Sequence, residues 1–220
     1  MTAADRSRRA WILLARRLGL DDDRTALIAD YLVDQYTAEG RYYHGLDHVA
    51  RMLDEVEAHG SLFQNRDAVE LAVFFHDAVY EPSRRDNEAR SASALHDLLA
   101  GSVSASLLER AEAMILATCG HSATGDPDVD LFLDVDLSIL AAPWPEYARY
   151  AEGVLREYAP IFGEDVYRKG RVEKFLRHML ARGRIFLTEA YAPRQAEALA
   201  NLAREAQELE TTGRLESGEV

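Results

Sequence analysis

The sequence predicts an all-α protein, and three observations lead there. Apolar residues recur at three- and four-residue spacing along nearly the whole chain, which is the period of a helix with one buried face. Alternating β-branched runs are missing, and so are Asn-Gly or Asp-Gly pairs between such runs, the marks of β-hairpins. Short breaks, such as Gly120 and the Pro-Trp-Pro stretch at 143–145, divide the chain into helix-sized segments.

The segments follow in order. Trp11, Leu14, Ala15 and Leu18 make a first apolar stripe. Leu27, Ile28, Tyr31, Leu32 and Gln35 make a second, after an acidic start at Asp21–Asp23 that suits a helix N-terminus. Leu46, Val49, Leu53 and Val56 make a third. Residues 65–80 read as a fourth helix, capped by Asn65 or Asp67 and apolar nearly all round, as a central helix is. Residues 86–101, 102–120 and 128–142 supply the fifth, sixth and seventh. Further helices are expected over about 144–158, 164–182 and 193–210, with a loose tail over 213–220. The pattern holds no internal repeat and no long linker, so it predicts one helical domain over 1–212, its last two or three helices packed as an appendage.

Composition narrows the function. A chain of 220 residues, 48% hydrophobic, can bury a substantial core. The formal net charge of −13 argues against general nucleic-acid binding, which needs a positive field along the phosphates. No apolar run approaches the length of a membrane span, and the N-terminal stretch is broken by arginines, unlike a secretory signal. Cys119 is the one cysteine, so there is no disulfide framework and a reducing compartment fits. The expectation is a cytoplasmic protein.

Chemistry enters at residues 71–80, LAVFFHDAVY, where His76 and Asp77 interrupt an otherwise apolar stretch. Burying an unpaired imidazole and carboxylate is costly. Residues 131–140, LFLDVDLSIL, break the same rule with Asp134 and Asp136. In RYYHGLDHVARML, His44 and His48 are four apart, so both can point to one side of a helix start. One divalent cation held by His48, His76, Asp77 and one of Asp134 and Asp136 would resolve both apolar stretches. Mixed imidazole and carboxylate ligation suits Mn, Fe, Zn, Ni or Co, with Mg also allowed, and a bound ion lowers the pKa of its water.

The order His, then His-Asp, then Asp resembles the signature of the HD superfamily of metal-dependent phosphohydrolases. The gaps, 28 residues from His48 to His76 and 59 from Asp77 to Asp136, are ordinary for it. The words RYYHGLDHV, FFHDAVYEP, DNEARSA, FLDVDLSIL and ALANLAREAQEL are similar to phrases of one bacterial branch whose substrate is undefined, so the resemblance covers about 10–210. It implies an HD-type helical bundle with extra C-terminal helices. Asp136 matches the superfamily's last ligand best, with Asp134 in reserve.

YYHGLDH is also similar to a segment of the cyclic-nucleotide phosphodiesterases, which implies a general acid at His44 and a ligand at His48. Gly45 departs from that pattern, which has asparagine there. In the mechanism this implies, Asp77 also orients or deprotonates the attacking water, and the additional histidines of some HD proteins imply that His121 lies near the substrate or a weaker second ion. Arg84 and Arg41 are candidates for gripping phosphate through a planar guanidinium. Glu88 is a candidate for orienting a water or a ligand histidine. His96, mid-helix, reads as structural. The resulting expectation is a hydrolase acting on a small phosphorylated metabolite, nucleotides being the class the family suggests; a homodimer is compatible. The rival readings are a non-catalytic metal- or nucleotide-binding domain and a di-iron oxygenase. The scarcity of histidines between the His-Asp pair and the last Asp counts against the oxygenase.

Overall fold

The computed structural model describes residues 2–215. It is all-α, with no strand among the described residues. Of the tail expected over 213–220, residues 216–220 lie outside the described residues. The α-helices are α1 (Ala3–Arg17), α2 (Asp22–Tyr36), α3 (Leu46–Ala58), α4 (Arg66–Phe75), α5 (Asn87–Leu99), α6 (Ala105–Ala117), α7 (Pro127–Asp136), α8 (Trp144–Phe162), α9 (Glu164–Gly170), α10 (Arg177–Arg182) and α11 (Gln195–Thr211). A 3-10 turn, Leu137–Ala141, follows α7, and a π turn, Arg171–Leu176, joins α9 to α10. By its internal contacts the chain divides into two compact units, one ending at Leu133 and one beginning at Asp134. The boundary falls inside α7.

In the first unit α4 is the central helix. Its residues from Ala68 to Phe75 are all buried, which explains why its sequence is apolar on every side. The Trp11 ring of α1 meets Phe74 and Phe75 edge-on, at centroid distances of 5.5 and 6.3 Å. Its indole N–H donates to the Thr25 carbonyl at 2.9 Å, so the largest core side chain leaves no polar atom unpaired. Glu70 interrupts the apolar run of α4 and is buried, but Arg17 and Arg66 both donate to it. Asp128 is also buried, and accepts from the backbone N–H groups of Gln64 and Asn65 at 2.8 Å each and from Arg110.

Asn65 caps α4 as the sequence suggests, accepting from the Ala68 N–H at 3.1 Å. The other end differs from the expected span to residue 80. The helix stops at Phe75, with His76 as its C-cap. The carbonyls freed there find side-chain donors. Val73 accepts from His76 Nδ1 at 3.0 Å and Phe74 from the Tyr36 hydroxyl at 3.1 Å. Arg41 donates to Asp77 at 2.7 Å and to Ala78 at 3.0 Å. Helix ends need such partners when buried, and none of these interactions has a local sequence signal.

The second unit is organised around α11. Asn201 donates to the carbonyls of Leu140 and Ala142, at 2.9 and 2.8 Å, which satisfies the break before α8. Glu205 and Arg171 form a buried ion pair, with Arg171 Nε 2.9 Å from Glu205 Oε1. The Tyr147 hydroxyl donates to Glu205 at 2.5 Å, and Arg171 donates to the Tyr150 hydroxyl at 3.0 Å. These added hydrogen bonds offset part of the cost of burying the pair. Among the described residues, no helix is long and apolar enough to cross a membrane.

Candidate metal centre

His48 lies in the first turn of α3, buried, because the chain enters that helix through Gly45. A Cβ on Gly45 would stand 3.2 Å from the Tyr36 carbonyl oxygen. The bare Cα therefore lets the segment lie close against the end of α2. That packing is a local reason for glycine where the phosphodiesterase-like pattern has asparagine.

His76 is brought to His48 by the pairing of α3 with α4. The two Nε2 atoms face each other at 3.1 Å, both rings buried. Each ring has its other nitrogen engaged, His76 Nδ1 at the Val73 carbonyl and His48 Nδ1 at the Tyr43 hydroxyl, 3.2 Å away. Asp77 is partly exposed, and its Oδ2 is 3.2 Å from His76 Nε2.

The last carboxylate comes from α7. Phe132 on that helix packs edge-on against His76, with centroids 6.2 Å apart. Asp136 follows Phe132 by four residues in the same unbroken helix, so it projects from the same face one turn further on. Within the first unit, His48 and His76 are two side chains that could hold a metal ion. Asp134, the reserve candidate, has other work. It is buried and accepts from the backbone N–H of Leu187 at 2.6 Å, the N–H of Thr188 at 2.8 Å and the Thr188 hydroxyl at 2.5 Å.

The two imidazoles suit a metal ion, since imidazole nitrogen is a common metal ligand. Two nitrogens each about 2.1 Å from one ion stand roughly 3.0–3.4 Å apart, and the 3.1 Å between the two Nε2 atoms falls in that span. The Nδ1 hydrogen bond of His76 to a carbonyl is the usual means of fixing a ligand imidazole with its Nε2 lone pair free to bind.

His44 is half-buried beside the pair. Its ring stacks on Tyr80 at 4.3 Å and 28° and meets Tyr43 edge-on at 4.9 Å, 6.1 Å from the His48 ring. Arg41, expected as a phosphate candidate, is committed to backbone. Its guanidinium donates to the carbonyls of His44, Asp77 and Ala78, at 2.8, 2.7 and 3.0 Å, and lies over the rings of Tyr36 and Tyr80. It thus ties the segment before α3 to the segment after α4.

Arg84 is exposed and forks onto Asp86, at 2.7 and 2.6 Å. Glu88 lies in the first turn of α5. His121 follows α6 with φ of 42°, a left-handed conformation uncommon for a side-chain-bearing residue. His96 pairs with Glu112 at 3.0 Å. Asn87 and Ser91 of α5 clasp Glu81 and Val79 by side chain to backbone, which holds the loop that follows Asp77. Sequence reasoning passed over Tyr43 and Tyr80. Their signal was adjacency, an aromatic ring beside His44 and another three residues past Asp77.

No family model matches the chain, and neither a curated protein nor a solved structure matches it.

Proposed function

We propose that the protein is a metal-dependent phosphohydrolase of the HD type, with His48, His76, Asp77 and Asp136 as metal ligands. The observation that carries this reading is the buried face-to-face pair of Nε2 atoms, 3.1 Å apart, at the two histidines the HD-like motif marks. The order of the motif residues in the sequence supports it.

A divalent ion of the Mn, Fe, Zn, Ni or Co class supplies Lewis acidity and hydroxide at neutral pH when bound at such ligands. Asp77, beside His76 Nε2 and partly exposed, can accept a proton from an attacking water. His44, held against Tyr80, can donate a proton to the leaving oxygen. The substrate is a small phosphomonoester or phosphodiester, with nucleotides favoured by the resemblance, and the protein acts in the cytoplasm.

The test is metal analysis of the purified protein, followed by a panel of phosphomonoesters and phosphodiesters in several divalent ions. His76→Ala and Asp77→Ala are each expected to abolish metal binding while leaving helix content intact by circular dichroism. Full metal occupancy in either variant overturns the ligand assignment. A wild-type protein that carries metal but turns over no phosphoester overturns the hydrolase reading.

A further inference from the structure

Tyr43 is outside the ligand set, yet it touches the first ligand. Its hydroxyl is 3.2 Å from His48 Nδ1, and its ring centroid is 4.9 Å from those of both His44 and His48. A neutral imidazole has one N–H and one lone pair. For both Nε2 atoms to bind one cation, both must present lone pairs, and both Nδ1 atoms must carry the proton. At His76 that proton goes to the Val73 carbonyl, which can only accept. At His48 the group in the equivalent place is the Tyr43 phenol.

We propose that Tyr43 is a positioning residue for the metal centre, its hydroxyl accepting the Nδ1 proton of His48 so that the Nε2 lone pair points at the ion. The proposal rests on the metal reading above. The tilted ring contact at 40° adds a steric brace on the His48 imidazole. A phenol oxygen both donates and accepts, so the contact also survives when His48 carries its proton on Nε2. The hydroxyl therefore serves His48 in either tautomer and holds the ring in place, while a cation at Nε2 selects the Nδ1–H form in which the phenol accepts.

The experiment is a cobalt(II) titration of metal-free protein, followed by the visible absorption of the bound ion. Tyr43→Phe keeps the ring and removes the acceptor. It is expected to raise the Kd about tenfold or more, as loss of an outer-shell partner of a ligand histidine does, and to shift the cobalt bands. Tyr42→Phe, at an exposed neighbour, is expected to match the wild type. The metal-free Tyr43→Phe protein should melt no more than about 4 °C below the wild type. An unchanged Kd in Tyr43→Phe, an equal loss in Tyr42→Phe, or a collapse of metal-free stability overturns the proposal. A wild type that binds no cobalt overturns the metal reading and this role with it. Normal binding in both wild type and Tyr43→Phe overturns this role alone.

Discussion

Asp134 and Asp136 are two residues apart in one apolar stretch, and replacing each by alanine should have opposite consequences. Asp134→Ala removes the acceptor of three hydrogen bonds, from the N–H groups of Leu187 and Thr188 and from the Thr188 hydroxyl. A hydrogen bond to a charged group contributes about 1.5–3 kcal/mol, and an orphaned donor adds its own cost when buried. Leu187 and Thr188 are only half-buried, so water can reach the freed donors and the lower end applies. The expected loss is about 4.5 kcal/mol, roughly 9–18 °C in a chain of this size. Asp136→Ala should leave metal-free stability within about 1 kcal/mol of the wild type, while metal occupancy falls to background. Urea unfolding of the metal-free proteins reads the first quantity, and elemental analysis of the folded fraction after metal loading reads the second. A stable Asp134→Ala protein that has lost its metal, or an Asp136→Ala protein destabilised as much as Asp134→Ala, would refute the assignment.

Two further outcomes follow from the buried network of the second unit. Glu205→Gln leaves the Arg171 guanidinium buried without its counter-charge, which should cost about 3–5 kcal/mol; replacing both residues by apolar side chains should recover most of it, and equal urea midpoints for the wild type and Glu205→Gln would contradict the argument. Burial pushes the phenols of Tyr147, Tyr150 and Tyr167 up from the usual value near 10, and the negative charge of Glu205 adds to the effect at all three. The folded pKa values lie above the unfolded ones, so the stabilisation is complete below pH 10 and is lost as the pH rises beyond it. Ultraviolet titration should show these three phenols ionising only together with unfolding.

The helices were legible because their signals are local. The 3.6-residue period, the cap at Asn65 and the break at Pro143 lie within a few residues of what they specify, and each reappears as an element or its boundary. The His76–Asp77 adjacency in an apolar stretch was legible for the same reason, and the structure sets His76 against His48. Adjacency to an apolar stretch did not, however, distinguish one buried carboxylate from another. Glu70, Asp128 and Glu205 are buried as well, and arginines, backbone N–H groups or a phenol satisfy them.

The sequence alone therefore determined where helices form and which residues have the chemistry of ligands. Tertiary structure decided which of those groups already have partners. Asp134 meets residues 53 and 54 positions further along the chain, and Arg41 meets Asp77 36 positions on. No periodicity or spacing encodes pairings of that range. They arise only when packing brings distant backbone donors and acceptors to the same place.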